Sequence, residues 1–218
     1  MLEVLTNPNK FFEARMKGEE SLRIPVLIVL ISGIISGLSS FLQNSITVKM
    51  MSEVPPEAQG IVSIMPTVSA IGLVMFFLIF WVFVAAIFYL ISCIFKGEGD
   101  FNRTLEFVGY GYIPMIFGGI IGAILMYTIV STAHIPVVTD PAKMAEALGL
   151  LLKSPMMLLS YAISFLFMLW SANIWIFGLK HARNLTTKNA VITITIPVAS
   201  YYIIMTYVLW TISQMGVM

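Results

Sequence analysis

The residues that could do chemistry in this chain are few, and they lie mostly beside long apolar runs. Glu106 stands shortly before the motif GYGYIP at 109–114, and Asn173 is the most polar uncharged residue deep inside an apolar run. Ionisable groups inside a bilayer are costly and therefore usually functional. We predict none near the middle of any span, because Glu106, His134 and Lys180 all fall at the edges of apolar runs. This placement disfavours a proton pump, a voltage sensor and a buried acid–base pair.

The sequence contains no pattern typical of an enzyme or a metal centre: no HExxH, no P-loop and no Ser/His/Asp set. Cys93 is the only cysteine, so an internal disulfide is excluded and a small apolar thiol is expected. His134 and His181 fall on opposite sides of the membrane in the topology predicted below, so they could not share a metal. EESLR at 19–23 is predicted to be a water-facing acidic step before the first span. We therefore predict no catalytic residue, no metal and no cofactor.

Composition predicts an integral membrane protein. The 218 residues are 59% hydrophobic and 11% charged, whereas soluble domains are about 25% charged. The net charge of +1 gives no indication of a nucleic-acid partner. Long uncharged runs predict an all-α bundle of five transmembrane helices, a single domain over 1–218. The predicted spans lie at about 24–42, 66–95, 107–133, 155–179 and 190–215.

Two shorter segments are predicted to be helices along the membrane surface. In the first, 8–17, Asn7 suits the N-cap, Pro8 the first helical position and Gly18 the stop. Its aromatic and basic residues suit an interfacial helix on an anionic leaflet, and a frayed tail is the alternative. The second, 141–153, has apolar residues at helical spacing.

Lysine and arginine predict the orientation. Nine of the twelve lie in the N-terminal tail and in the two tight turns near 96–103 and 180–188. By the positive-inside rule the N-terminus faces the cytoplasm and the C-terminus faces outward, in the cell membrane. Five spans cannot divide into two equal halves, which disfavours a transporter built from inverted repeats.

Glycines at fixed spacing indicate helix packing. Gly33 and Gly37 form a G-x-x-x-G pair in the first span, and Gly118 and Gly122 repeat that spacing in the third. The third span is also broken in its first third by two glycines and a proline. Because freed backbone groups at membrane depth need protein or water, we predict that this span is enclosed by its four neighbours.

The GYGYIP motif has two interpretations. In one, its glycines allow close packing and its tyrosines are anchors at the headgroup level. In the other, Glu106 and the broken helix form a recessed site for a lipid or a partner helix. Asn173 makes an interhelical hydrogen bond or lines a polar pocket. The candidate residues for partner or lipid binding are Glu106, Gly109, Tyr110, Gly111, Tyr112, Pro114 and Asn173.

The chain resembles Yip1-domain proteins over essentially its whole length. The resemblance rests on GYGYIP at 109–114, NPNKFF at 7–12 and the turn at 96–103, in that order. It implies a polytopic α-helical membrane protein with a cytoplasmic N-terminus, here of a short, prokaryotic type. Eukaryotic members are associated with prenylated GTPases through a long N-terminal domain with a DLYGP-type motif. Only about twenty residues precede the first span here, without that motif, so GTPase binding is not expected.

Function is therefore predicted only as a class. We expect a non-enzymatic scaffold or membrane-organising protein, in contact with the bilayer and with another membrane protein or a second copy of itself. The alternative is a small transporter or channel for a neutral or lipid-like solute. In that alternative, Asn173 and the broken third span would line the path.

Overall fold

The computed structural model describes residues 2–50, 56–132 and 154–215, and within them the chain forms helices and no strand. The surface helix predicted at 141–153 lies outside the described residues. The helices are α1 (Glu3–Thr6), α2 (Pro8–Arg15), α3 (Arg23–Met50), α4 (Pro56–Ile94), α5 (Phe101–Tyr110), α6 (Ile113–Thr132), α7 (Pro155–Ala182) and α8 (Thr187–Met215).

Five stretches are long and apolar enough to cross a membrane, which confirms the predicted five-span, all-α class. The orientation of the termini stays a prediction. α4 begins at Pro56, ten residues before the predicted start, and Pro66 lies inside it. A proline in the first helical turn loses no hydrogen bond, so the helix starts there. The stretches are Arg23–Ser45, Glu57–Ile94, Phe101–Ile129, Pro155–Ala182 and Thr187–Thr211.

The buried core lies at one end of the bundle. α3 begins there, α4 ends there, α7 ends there and α8 begins there, with the short helix α5 among them. Toward the opposite end the helices expose large apolar side chains, as is normal for surfaces that face lipid. The core includes Phe12, Ile28, Val29, Trp81, Ala85, Phe88, Phe107, Ile174, Trp175, Leu179 and Ile194.

The third span is enclosed over only part of its length. Every residue from 103 to 112 is buried, and α5 packs against α3, α4 and α7. α6 packs on α3 and α7 but leaves Phe117, Ile124 and Tyr127 exposed, at 45%, 60% and 62%. The prediction of enclosure by four neighbours is therefore wrong for α6. An apolar helix face is about as stable against lipid as against protein, so the uncharged sequence of α6 does not require it to be buried inside the bundle.

The G-x-x-x-G pair of α3 packs against α4. A Cβ added at Gly37 would lie 2.8 Å from the backbone oxygen of Ala70. A Cβ at Gly33 would lie 3.2 Å from Cβ of Phe77. These two glycines thus let the backbones of α3 and α4 approach more closely than any side chain would allow.

The two glycines of the second pair, Gly118 and Gly122, differ in how closely they approach α7. A Cβ on Gly118 would lie 2.9 Å from the ring of Phe167, so this glycine sets the approach of α6 to α7. A Cβ on Gly122 would meet its nearest neighbour, Oγ of Ser160, only at 3.9 Å. That is an ordinary van der Waals distance, so α6 and α7 do not need a glycine at 122 for their approach, and an alanine would fit there.

Candidate functional site

Residues 2–22, which we call the N-terminal arm, fold back onto the buried end of the bundle. The Asn7 side chain accepts a hydrogen bond from the Lys10 backbone N–H at 3.2 Å, which caps α2. Phe12 is fully buried, and its ring centroid lies 4.6 Å from that of Phe107 in α5. The apolar side of α2 therefore packs on protein, whereas the sequence indicated a helix whose apolar side enters the membrane surface.

Polar contacts also join the arm to α7. Oδ1 of Asn9 accepts from Nζ of Lys180 at 3.0 Å and lies 3.0 Å from Nε2 of His181. Nearer the start of the chain, the indole N–H of Trp170 donates to the carbonyl of Leu5 at 3.2 Å. The arm is thus held along the second half of α7.

A buried ion-pair network links the arm to α5. Glu106 is fully buried, and its Oε1 accepts from Nε of Arg15 at 2.7 Å while Nη2 of Arg15 lies 2.7 Å from the same oxygen. Its Oε2 accepts from Nη1 of Arg103 at 2.9 Å. Arg103 also donates to the Gly18 carbonyl at 2.8 Å and lies 3.6 Å from Glu20. We call Arg15, Glu20, Arg103 and Glu106 the Glu106 cluster.

The cluster corrects the prediction that Glu106 only marks the edge of an apolar run and that no acid–base pair is buried, because its carboxylate is fully buried and paired. A carboxylate removed from water is stable only when charges and hydrogen bonds compensate it. Arg15 and Arg103 supply both, and the second positive charge is balanced by Glu20, whose side chain is 34% exposed. Glu106 can be buried because the fold brings Arg15, which is 91 residues away in the sequence, into contact with it.

Two tryptophans donate to backbone carbonyls of α5, close to the break in the third span. The indole N–H of Trp81 donates to the Leu105 carbonyl at 3.0 Å, and that of Trp175 donates to the Val108 carbonyl at 2.7 Å. Gly111 is required beside them, because a Cβ there would fall inside the indole of Trp175. Neighbouring helices thus provide partners for the backbone at the break.

The remaining residues of the motif are packed inside the protein. A Cβ on Gly109 would lie 2.5 Å from Cβ of Pro25, so this glycine lets α3 touch α5. Tyr110 and Tyr112 are only 3% and 2% exposed, so their interpretation as headgroup anchors is wrong. The Tyr112 hydroxyl and Oγ of Ser171 are buried with no hydrogen-bond partner among the described residues.

Pro114 and Asn173 lie in different environments. Pro114 is buried in the first turn of α6, where its missing N–H costs no helical hydrogen bond, so it restarts the helix after the break. Asn173 is exposed, while Ser171 and Ile174 on the same helix are buried. It therefore points away from the packed face of α7 and makes no interhelical hydrogen bond among the described residues, which corrects that interpretation, whereas its role in lining a pocket or in binding a partner or lipid stays a prediction.

A cavity opens between the arm and the bundle. Its volume is about 410 Å³. Three of its lining residues, Phe11, Arg15 and Ser21, belong to the arm, while Ile24 is in the first turn of α3 and Tyr110 ends α5. Of the candidate residues predicted from sequence, only Tyr110 lines it.

Sequence analysis missed Arg183, which it counted only as a charge that sets orientation. Arg183 is 2% exposed and lies 4.0 Å from the ring centroid of Tyr89. Its guanidinium donates to Oγ of Ser92 at 2.9 Å, to the Gly97 carbonyl at 2.6 Å and to the Gly99 carbonyl. It thus fastens the α4–α5 turn to the end of α7. In the sequence, the glycine-rich turn KGEG at 96–99 could have indicated this contact, because a turn leaves several backbone carbonyls free to accept from an arginine.

Comparison with known proteins identifies the family. The Yip1 domain matches residues 2–208, almost the whole chain. The chain belongs to the Yip1 family. It is also 38% identical over 127 residues to an uncharacterized protein of Methanocaldococcus jannaschii, an alignment that covers 58% of this chain and 88% of the relative. No solved structure matches it significantly.

In this Yip1 domain, the motifs that carried the resemblance lie together in space. NPNKFF, at 7–12, starts α2 of the arm, and GYGYIP, at 109–114, forms the α5–α6 break. The ring of Phe11 lies 5.1 Å from that of Tyr110, which joins the two motifs directly. The turn at 96–103 supplies Arg103 of the Glu106 cluster.

Proposed function

We propose that this Yip1-family chain is a non-enzymatic scaffold, which holds its N-terminal arm rigidly against the membrane-embedded bundle as a docking surface for another membrane protein. The observation that carries the proposal is the buried Glu106, whose two oxygens join Arg15 of the arm to Arg103 of α5. Fixing a docking surface in advance lowers the entropic cost of binding.

The buried ionisable groups suit this role better than catalysis. A general acid or base must reach a proton of its substrate, directly or through one water. Here each oxygen of Glu106 contacts a guanidinium, and Arg183 donates to three groups of the protein itself. Because Glu106 and Arg183 are bonded to other parts of the protein, their role is to hold chain segments in place.

The outer side of the arm has the mixed charge of a protein-docking surface. Lys10, Glu13 and Lys17 are all exposed there. Interspersed charges favour the choice of partner and the rate of encounter over raw affinity. We therefore expect a specific partner of moderate affinity on this surface.

Site-specific photo-crosslinking tests the proposal. A photoreactive residue replaces Glu13 on the arm or, as the matched control, Ile64, which is exposed on α4 toward the opposite end of the bundle. We expect one reproducible adduct in native membranes from position 13 and none from position 64. Equal adducts from both positions, or none from position 13, would contradict the proposal.

One observation favours the alternative of a transporter for a neutral solute. The buried hydroxyls of Tyr112 and Ser171 have no partner among the described residues, and a polar uncharged solute could hydrogen-bond to them. Liposomes containing this chain alone test it with glycerol or urea. The scaffold proposal expects flux no faster than in empty liposomes. Flux that Ser171→Ala abolishes would establish the transporter instead.

A further inference from the structure

We propose that the cavity between the arm and the bundle binds the phosphate group of a membrane phospholipid. This site goes beyond the scaffold proposal and does not depend on it. Its lining combines a guanidinium, from Arg15, with the hydroxyl-bearing Ser21 and Tyr110. The volume of about 410 Å³ is within the range of roughly 300–1,000 Å³ typical of small-molecule sites.

The charges at the cavity suit an oxyanion. Among the described residues that line it, Arg15 is the one with a charge, and Glu106, the carboxylate that pairs with Arg15, is fully buried and is not part of the lining. Arg15 uses Nε and Nη2 on Glu106, which fixes the orientation of its planar head. A guanidinium held in this way suits phosphate oxygens, for which arginine is the preferred ligand.

The place of the cavity indicates that the phosphate comes from a lipid. Ile24, which lines the cavity and is 42% exposed, is in the first turn of the candidate span Arg23–Ser45, so the cavity sits where the chain enters the bilayer. An exposed apolar stripe then runs along α3 from this point, at spacings of three and four residues. An acyl chain could lie along it while the phosphate occupies the cavity. The stripe consists of Ile24, Leu27, Ile31, Ile34 and Leu38.

The charge balance predicts which lipids bind. The Glu106 cluster holds two guanidinium groups and two carboxylates, so its net charge is zero. A single phosphate is then recognised by direct contact with Arg15 rather than by a strong positive field. Phosphatidylglycerol and phosphatidylethanolamine should therefore both bind, and diacylglycerol, which lacks phosphate, should not.

Native mass spectrometry of the full-length, detergent-solubilised chain tests the inference with these three lipids and with inorganic phosphate. Ile24→Trp puts a larger side chain into the lining of the cavity without changing any charge. Ile124→Trp, at a residue 60% exposed on α6, is the matched control. We expect the retained phospholipid to fall at least tenfold in Ile24→Trp and to stay unchanged in Ile124→Trp. Ser21→Ala, which removes one hydroxyl, should weaken retention several-fold.

Three results would overturn the inference: retention of diacylglycerol equal to that of the phospholipids, undiminished retention in Ile24→Trp, or binding of inorganic phosphate without lipid. Both tryptophan variants replace exposed side chains, so elution as a folded species checks that loss of lipid is not loss of fold. Crosslinks from position 13 that persist without any lipid adduct would remove the lipid inference alone. Lipid adducts without crosslinks would remove only the scaffold.

Discussion

Replacing Glu106 by glutamine tests whether the buried ion pairs hold the arm in place. The substitution keeps the shape of the side chain but removes the negative charge between Arg15 and Arg103, whose side chains are 24% and 10% exposed. Removing one partner of a buried pair costs about 3–5 kcal/mol. Arg15 is partly exposed and an amide oxygen still accepts hydrogen bonds, so we expect the lower end, about 3 kcal/mol. At about 2–4 °C per kcal/mol for a chain of this size, the Tm should fall by about 6–12 °C.

Thermal unfolding of the detergent-solubilised protein measures this change. The heating rate is kept the same for all variants, because an irreversible transition depends on it. Limited trypsin digestion adds a local measurement, since Lys17 is exposed on the arm. If the arm loosens in Glu106→Gln, cleavage after Lys17 should become faster well below the Tm.

Glu20→Gln is the matched control, because the same chemical change is made at the water side of the cluster. The Glu20 carboxylate lies 3.6 Å from Arg103, and its side chain is 34% exposed. Exposed pairs contribute at most about 1 kcal/mol, so the Tm should fall by less than about 4 °C. The reasoning is refuted if Glu106→Gln costs no more than Glu20→Gln. A lower Tm with unchanged cleavage after Lys17 would mean that Glu106 supports α5 but not the arm.

Two further predictions concern single contacts, and a third concerns the orientation in the membrane. Gly118→Ala should destabilise the bundle by about 1–3 kcal/mol, because the added methyl group overpacks the contact between α6 and α7. Gly122→Ala should be neutral or stabilising by up to about 1 kcal/mol, because alanine has the higher helix propensity. Equal effects of the two substitutions in thermal unfolding would contradict the assigned packing. Trp175→Phe removes the indole donor of the buried Val108 carbonyl, which still accepts from the Gly111 N–H, and should therefore cost only about 0.5–1.5 kcal/mol, and an unchanged Tm would argue against that bond. In a cysteine-free background, Lys10→Cys should resist an impermeant maleimide in intact cells and react after lysis; labelling of intact cells would reverse the predicted orientation.

The class of the fold could be predicted from the sequence because span length and apolarity are local properties. A run of about 20 uncharged residues is long enough to cross a bilayer whatever surrounds it. The break at 109–114 was also visible, since glycine and proline act on their own backbone. Hydropathy could not show that α5 is buried, because its burial depends on the ion pairs of Arg103 and Glu106, and it could not show that α6 is partly exposed, because protein interior and lipid are equally apolar.

The site was only partly predictable because its contacts are distant in the sequence. Glu106 was named as a candidate, but no local pattern shows that Arg15, 91 residues earlier, reaches it. The exposure of Asn173 follows from its helical phase. The buried residues of α7 recur every three or four positions, and Asn173 falls between them on the exposed side. These buried residues are Ser171, Ile174, Trp175, Gly178, Leu179 and Ala182.

The two halves of the bundle are stabilised in different ways, and this bears on where a partner can dock. At the buried end, ion pairs, indole hydrogen bonds and the Arg183 contacts join segments that are far apart in the sequence. Toward the other end, α3 and α4 rely on glycine-mediated contact, and most of the surface is apolar and suited to lipid. Apolar contact alone gives little specificity inside a bilayer, where lipid competes equally well. A partner that must recognise this protein therefore has most to recognise at the charged end, where the arm is fixed.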